Sequence, residues 1–133
     1  MSAKLETLSE NLGKHFGDKI KSLKLALGEI TLEVGAADYL GVMTALRDEA
    51  DFRFEEMVDL CGVDYSTYGD GAWQGLRYAV VVHLLSVAKN VRLRVRVFAD
   101  DDSFPSVDSV MGIWSTANWF EREAFDLYGI AFV

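Results

Sequence analysis

Residues 78–97 constrain the fold more tightly than any other stretch. Tyr78–Val87 is apolar on both alternating faces, as a strand covered on both sides must be. Lys89-Asn90 makes a turn, and Val91, Leu93, Val95 and Val97 then alternate strictly with Arg92, Arg94 and Arg96. Successive strand side chains point to opposite faces, so a slip of one residue would bury all three arginines. Only one register of this hairpin is viable, and the rest of the chain must cover its apolar face. The arginines form a basic stripe on the outer face of the sheet. Such a stripe suits a solvated surface that blunts edge pairing, or a partner that carries carboxylates.

The flanking sequence supplies the cover. Leu5, Leu8, Leu12 and Phe16 recur at helical spacing, and Gly17-Asp18 ends that helix. Leu23, Leu25 and Leu27 alternate, then Ile30, Leu32 and Val34; Gly28-Glu29 between them suits a type II′ turn and a second hairpin. Asp38 is placed to cap a helix through Tyr39, Val42, Met43 and Leu46. Phe52–Tyr65 fits a helical turn or two at its start and a strand at its end. Gly69-Asp70-Gly71 reads as a loop. Pro105 suits a helix start, with Val107, Val110, Met111 and Trp114 at helical spacing behind it. The expectation is an α+β fold: one domain over residues 1–133, mainly antiparallel sheet in two hairpins, with helices packed on it.

Composition narrows the class. No apolar run approaches the 18 or more residues that would span a bilayer, and Met1–Leu12 has no apolar signal core. The lone Cys61 offers no internal disulfide and agrees with a reducing compartment. These features lead one to expect a soluble cytosolic domain. The net charge is −8, and residues 100–133 carry seven acidic side chains against the single Arg122. That balance disfavours nucleic acid and anionic lipid. One cysteine and two histidines, His15 and His83, give no metal-ligand spacing, and His83 is expected in the core of its strand. No Gly-rich phosphate loop or nucleophile elbow occurs, so no catalytic, cofactor-binding or metal-binding residue is assigned.

Trp114–Val133 carries the rest of the argument. Asn118 can cap a helix, with Glu121 completing a capping box, and Gly129 can end it while Ile130 folds back onto Phe125. Leu127, Phe120, Ala124, Tyr128 and Phe125 cover an apolar arc that also contains Glu121, whereas Trp119 falls on the charged side. Arg122 and Asp126 are spaced to pair. The helix therefore has two occupied faces, one for its own domain and one for something else. Three accounts of Glu121-Arg122-Glu123 stand: a solvated run, a catalytic carboxylate pair, or an interface that meets partner charges. The two glutamates project about 160° apart on a helix, which disfavours the second.

The run Ala117–Ile130, with its E-R-E-x-x-D core and aromatic-Gly end, closely resembles the signature of the 30-kDa (C) subunit family of respiratory NADH:quinone oxidoreductase, complex I. Val58–Tyr65, ending in Val63-Asp64-Tyr65, and the Leu84-Leu85-Ser86 … Arg92-Leu93-Arg94-Val95 pattern are also similar, giving three ordered blocks between Phe54 and Phe132. The resemblance implies a structural subunit of the peripheral arm, without a cofactor or active site of its own. It would brace the quinone-reducing D/B module on the cytoplasmic side of the bacterial inner membrane. NADH, FMN, iron–sulfur clusters and quinone would be bound by other subunits. As partners it implies the D and B subunits of complex I and other peripheral-arm subunits. It also implies contact with the membrane only through the complex. A domain stripped of its interface would leave Trp119 or Phe132 exposed, which favours self-association in isolation. Trp119, Glu121, Arg122, Glu123, Asp126 and Tyr128 are the candidate contact residues, with Arg92, Arg94 and Arg96 as a second surface. The family's signature is followed by a His-Pro-x-x-Arg-Arg segment that this sequence lacks, so the resemblance implies a domain without the C-terminal extension. The equivalent subunit of a membrane-bound hydrogenase or formate-oxidising complex, a free-standing adaptor domain, and a hydrolase using Glu121 or Glu123 are the other readings.

Overall fold

The structure, a computed structural model, describes residues 3–69 and 73–133. Along the chain lie α1 (Ala3–Phe16), β1 (Ile20–Ala26), β2 (Glu29–Val34), α2 (Ala36–Asp48), β3 (Glu56–Asp64), β4 (Tyr78–Ser86), β5 (Val91–Phe98), β6 (Ser106–Val107), α3 (Ala117–Tyr128) and β7 (Ala131–Phe132). The first five strands form one sheet in the order β1-β2-β5-β4-β3. Neighbours are antiparallel except β2 and β5, which run parallel. A hairpin is thus joined to a three-stranded meander, as the α+β expectation of a mainly antiparallel sheet required. Parallel neighbours need a long crossover, and here α2, β3 and β4 provide it.

The register of β4 and β5 is the one that keeps the arginines out. Val80, Val82 and Leu84 pair with Val97, Val95 and Leu93, and all six are buried. Leu12 and Phe16 of α1, and Tyr39, Val42, Met43 and Leu46 of α2, join them in one core. Phe52 and Phe54 plug the same core from the α2–β3 connection, where Phe52 stacks on Phe16 with ring centroids 5.5 Å apart. The ambiguous Phe52–Tyr65 stretch is therefore a buried connector followed by strand. Helix α3 lies against β3, the far edge of the sheet, and Gly62 makes the close approach possible. A Cβ on Gly62 would stand 2.7 Å from Cδ2 of Tyr128.

Several local expectations are corrected. The β1–β2 turn is Leu27-Gly28, one residue earlier than expected, and both have positive φ (54° and 73°). Both central residues are left-handed, so the turn is type I′ and matches the twist of the hairpin. Asp38 does not cap α2; Gly35 holds that position, and the Asp38 amide donates to the Gly35 carbonyl. No helix follows Pro105. Ser106–Val107 pairs with β7 instead, the Ser109 amide donates to the Val133 carbonyl, and only one turn closes, at Val110. His83 is not a core residue. It has the parity of Ala79 and Val81, so it lies on the outer face, half-exposed, with Nδ1 2.7 Å from Asp59 Oδ1. Of the Gly69-Asp70-Gly71 loop, Asp70 and Gly71 lie outside the described residues.

Candidate interface

Helix α3 starts without a side-chain cap. Thr116 precedes it, and the first amides donate backward, Ala117 to the Trp114 carbonyl and Asn118 to that of Ser115. Asn118 is therefore not the cap, because the preceding turn has already satisfied the donors a cap would serve. Gly129 ends the helix at φ 72°, as its sequence position required, with its amide on the Phe125 carbonyl. Ile130 does not fold onto Phe125. It is buried in the core beside Gly62.

The inward face of α3 is narrow. Ala117, Glu121 and Ala124 are buried, and Phe120 and Tyr128 are half-buried. Small alanines allow the helix to sit close to the body of the domain. The cost is that the large apolar side chains point away: Trp119 is 68% exposed, Leu127 66% and Phe125 55%. Leu127 and Phe125 were expected in the core arc. The helix is instead turned so that Glu121, which lay inside that arc, occupies a core position.

Glu121 is 5% exposed and uses both carboxylate oxygens. Oε1 accepts from the Ser109 hydroxyl at 2.7 Å, and Oε2 accepts from the Val110 amide at 2.9 Å. The side chain thus ties α3 to the segment that returns from β6. It forms no capping box, and it is withdrawn from the surface on which a partner would land. The nearby Tyr39 hydroxyl is buried without a hydrogen-bond partner among the described residues. Burial first, then the charges of Glu121 and Asp108, push its phenol well above the ordinary range.

The outward face is different. Asn118, Arg122, Phe125 and Asp126 line a shallow groove of about 420 Å³ with Met111 and Phe132. Arg122, Glu123 and Asp126 make no ion pair or side-chain hydrogen bond among the described residues, so the expected Arg122–Asp126 pair does not form. Glu121 and Glu123 are not brought together, one being buried and the other exposed. The catalytic-pair account has no geometry to support it. Exposed apolar side chains ringed by unpaired charge are instead the makings of a protein contact.

The arginine stripe divides. Arg92 is exposed and Arg94 half-buried, but Arg96 is held from within the domain. Its Nη2 donates to Glu33 Oε1 at 2.7 Å, its Nη1 lies 3.4 Å from the Tyr65 hydroxyl, and its guanidinium sits 5.4 Å over the Phe98 ring. Cys61 is exposed on β3. Partial burial, then the charge of Asp59, raises its thiol pKa, so it is not poised as a nucleophile. Among the described residues no group of three or more His, Cys, Asp or Glu could hold a metal ion, and no helix is long and apolar enough to cross a membrane.

The family model for "Respiratory-chain NADH dehydrogenase, 30 Kd subunit" matches residues 32–133. The chain belongs to that family. The C subunit of NADH-quinone oxidoreductase from Dechloromonas aromatica (strain RCB) is 80% identical over 133 residues, covering 100% of this chain and 66% of that protein. Its counterpart from Ralstonia nicotianae is 61% identical over 132 residues, covering 99% of this chain and 66% of the relative. The chain thus spans about two thirds of the length of these relatives. Among solved structures, the trypsin-resistant fragment of Nqo5 superposes with a TM-score of 0.81 at 27% identity, covering 97% of this chain and 95% of that one. A chain of the membrane-bound sulfane sulfur reductase, an archaeal respiratory membrane complex, shares the fold at a TM-score of 0.75 and 19% identity. The 30-kDa family's reach is wider than the three blocks suggested. The family model begins at residue 32, and the relatives align from the first helix onward. Met111, Phe125 and Leu127 were missed as surface residues. For the two on α3, the one signal that could have exposed them was the glutamate inside the supposed core arc.

Proposed function

We propose that this chain is the globular part of the C subunit of a proton-translocating NADH:quinone oxidoreductase, a peripheral-arm component that braces the quinone-reducing D/B module without performing chemistry. In this reading NADH, FMN, iron–sulfur clusters and quinone are bound by other subunits, and the chain meets the cytoplasmic side of the membrane only through the complex. Membership of the 30-kDa family supports the enzyme. The observation that carries the scaffold role is the outward face of α3, with Trp119, Phe125 and Leu127 exposed beside Arg122, Glu123 and Asp126. Truncating an aromatic anchor at the centre of such a patch commonly costs about 2 kcal/mol or more of binding.

The test is capture of the tagged full-length protein from detergent-solubilised membranes. NADH:quinone reductase activity should co-elute with it. Trp119→Glu should lower the captured activity about tenfold or more while leaving the unfolding midpoint of the isolated domain unchanged. Recovery of the chain alone from the soluble fraction would refute the reading, and recovery with hydrogenase subunits would move it to that enzyme class.

A further inference from the structure

A second groove, away from α3, lies on the outer face of the sheet. It has a volume of about 410 Å³ and is lined by Lys24, Thr31, Arg94 and Arg96, with Leu27 and Glu29 toward the hairpin tip. The strand register explains its shape. Lys24 on β1, Thr31 on β2 and Arg94 on β5 are consecutive partners in one row. Strand spacing places the outer two backbones about 10 Å apart with a short hydroxyl side chain between them. Two long cations thus stand on either side of a low centre.

The neighbouring polar side chains are already partnered. In the adjacent row Arg96 is bonded to Glu33, and further along the first row His83 is bonded to Asp59. Arg94, half-buried between them, and Lys24 make no ion pair or hydrogen bond among the described residues. In a chain of net charge −8, two cations flanking one groove with no ion-pair partner among the described residues are the exception. A partly desolvated guanidinium gains most from a carboxylate that can accept two of its donors at once. Glu29 on the rim would repel a doubly charged phosphate more strongly than a singly charged carboxylate.

We propose that this groove receives an acidic segment of a neighbouring protein chain, one carboxylate bridging Lys24 and Arg94 above Thr31. That the neighbour belongs to the same complex rests on the function proposed above; the groove and its carboxylate preference do not. The contact would be separate from α3, so the domain would be held on two surfaces.

Carbodiimide coupling tests it directly, because the reagent joins an amine to a carboxylate only when the two already touch, forming an amide with loss of water. On the solubilised complex containing the full-length protein, peptide mass spectrometry should find Lys24 linked to an Asp or Glu of another chain. Arg94→Gln should lower that yield severalfold by releasing the carboxylate. Lys24 left unlinked while other lysines of the chain react, linked only to Glu29, or linked equally well in Arg94→Gln would overturn the proposal. A phosphate or lipid headgroup in the groove would give the first of these results. If no complex can be captured, the function proposed above fails instead, and the groove is then judged on the 133-residue chain with hexaglutamate as the probe. Binding that weakens at least fivefold in a Lys24→Gln, Arg94→Gln double variant of unchanged circular dichroism upholds it. No binding, or equal binding by both proteins, overturns it.

Discussion

Along the sheet, Arg96 is held by Glu33, His83 by Asp59, and Arg77 by both oxygens of Asp64. On α3, Arg122, Glu123 and Asp126 stand without such partners among the described residues, beside three exposed apolar side chains. The contrast is geometric. Cross-strand register sets hydrogen-bonding partners directly across from one another; Glu33 and Arg96 are register partners, as are Asp59 and His83. On a helix surface the i,i+4 pair Arg122–Asp126 contributes only about 0.3–0.5 kcal/mol in water, too little to hold two long side chains together. Charge on the sheet mostly serves the fold. Charge on the outer side of α3 is free to serve a partner.

Glu121 is the exception on α3, and it supplies the largest expected effect. Glu121→Ala leaves the buried Val110 amide without an acceptor and opens a hole between α3 and the returning segment. Loss of a charged acceptor to a buried donor predicts destabilisation of about 3 kcal/mol. Glu121→Gln keeps the shape and one acceptor oxygen, and should cost about half as much. Urea unfolding of the two variants measures both. Equal midpoints for wild type and Glu121→Ala would mean that α3 is not anchored through this residue, and its two faces would then be alike.

Gly62→Ala comes next. The added methyl would overlap the Tyr128 ring, and the edge strand β3 and helix α3 would have to part. Overpacking of this kind costs about 1–3 kcal/mol. The same denaturation assay reads it. A neutral result would show that α3 can ride outward without loss, and the outer face would then be less firmly presented.

How much of this was legible beforehand follows from which forces act locally. The β4–β5 register could be read because misregistration buries three arginines, a penalty set by the pair of strands alone. Gly129 could be read because its left-handed backbone is a local demand. Asn118 and Asp38 could not, since whether a side chain caps depends on where the preceding carbonyls already point. The helix expected after Pro105 failed for a similar reason. The Ser109 amide goes to the Val133 carbonyl and the Val110 amide to Glu121, partners that only the tertiary fold brings near. The rotation of α3 was hidden for the same cause: hydrophobicity favoured Leu127 and Phe125 inside, and two hydrogen bonds from another segment turned Glu121 inward. The family motif was visible, yet it marks a block whose first glutamate serves the fold and whose remaining charges face out.

Asp64 sharpens the sheet side of the contrast at smaller effect. The hydrogen bond from Arg77, more than the Ser66 backbone contact, holds its carboxyl well below the usual range. A depressed carboxyl contributes stability above its unfolded pKa of about 4, and the contribution is lost as pH falls through the lower folded-state value. Asp64→Asn should therefore shift stability equally at pH 7 and pH 5, and flatten the loss of stability below about pH 4. The pair is largely solvent-facing, so added salt should shrink the difference. Unfolding midpoints across pH at two salt concentrations would show it. An unchanged acid limb would mean that Asp64 is not one of the sheet's working pairs.

The smallest effects are expected where the helix faces out. Arg122→Ala removes a side chain with no ion-pair or hydrogen-bond partner among the described residues, and Asn118→Ala removes one that caps nothing. Exposed substitutions away from such features stay within about 0.5 kcal/mol of wild type. Neither variant should move the unfolding midpoint of the isolated chain beyond that, although Arg122→Ala should weaken assembly. A loss of about 1 kcal/mol in Asn118→Ala would restore it as the cap. A comparable loss in Arg122→Ala would make it an internal pair like Arg96, and the distinction between a sheet that matches most of its charges and a helix that offers them would fall with it.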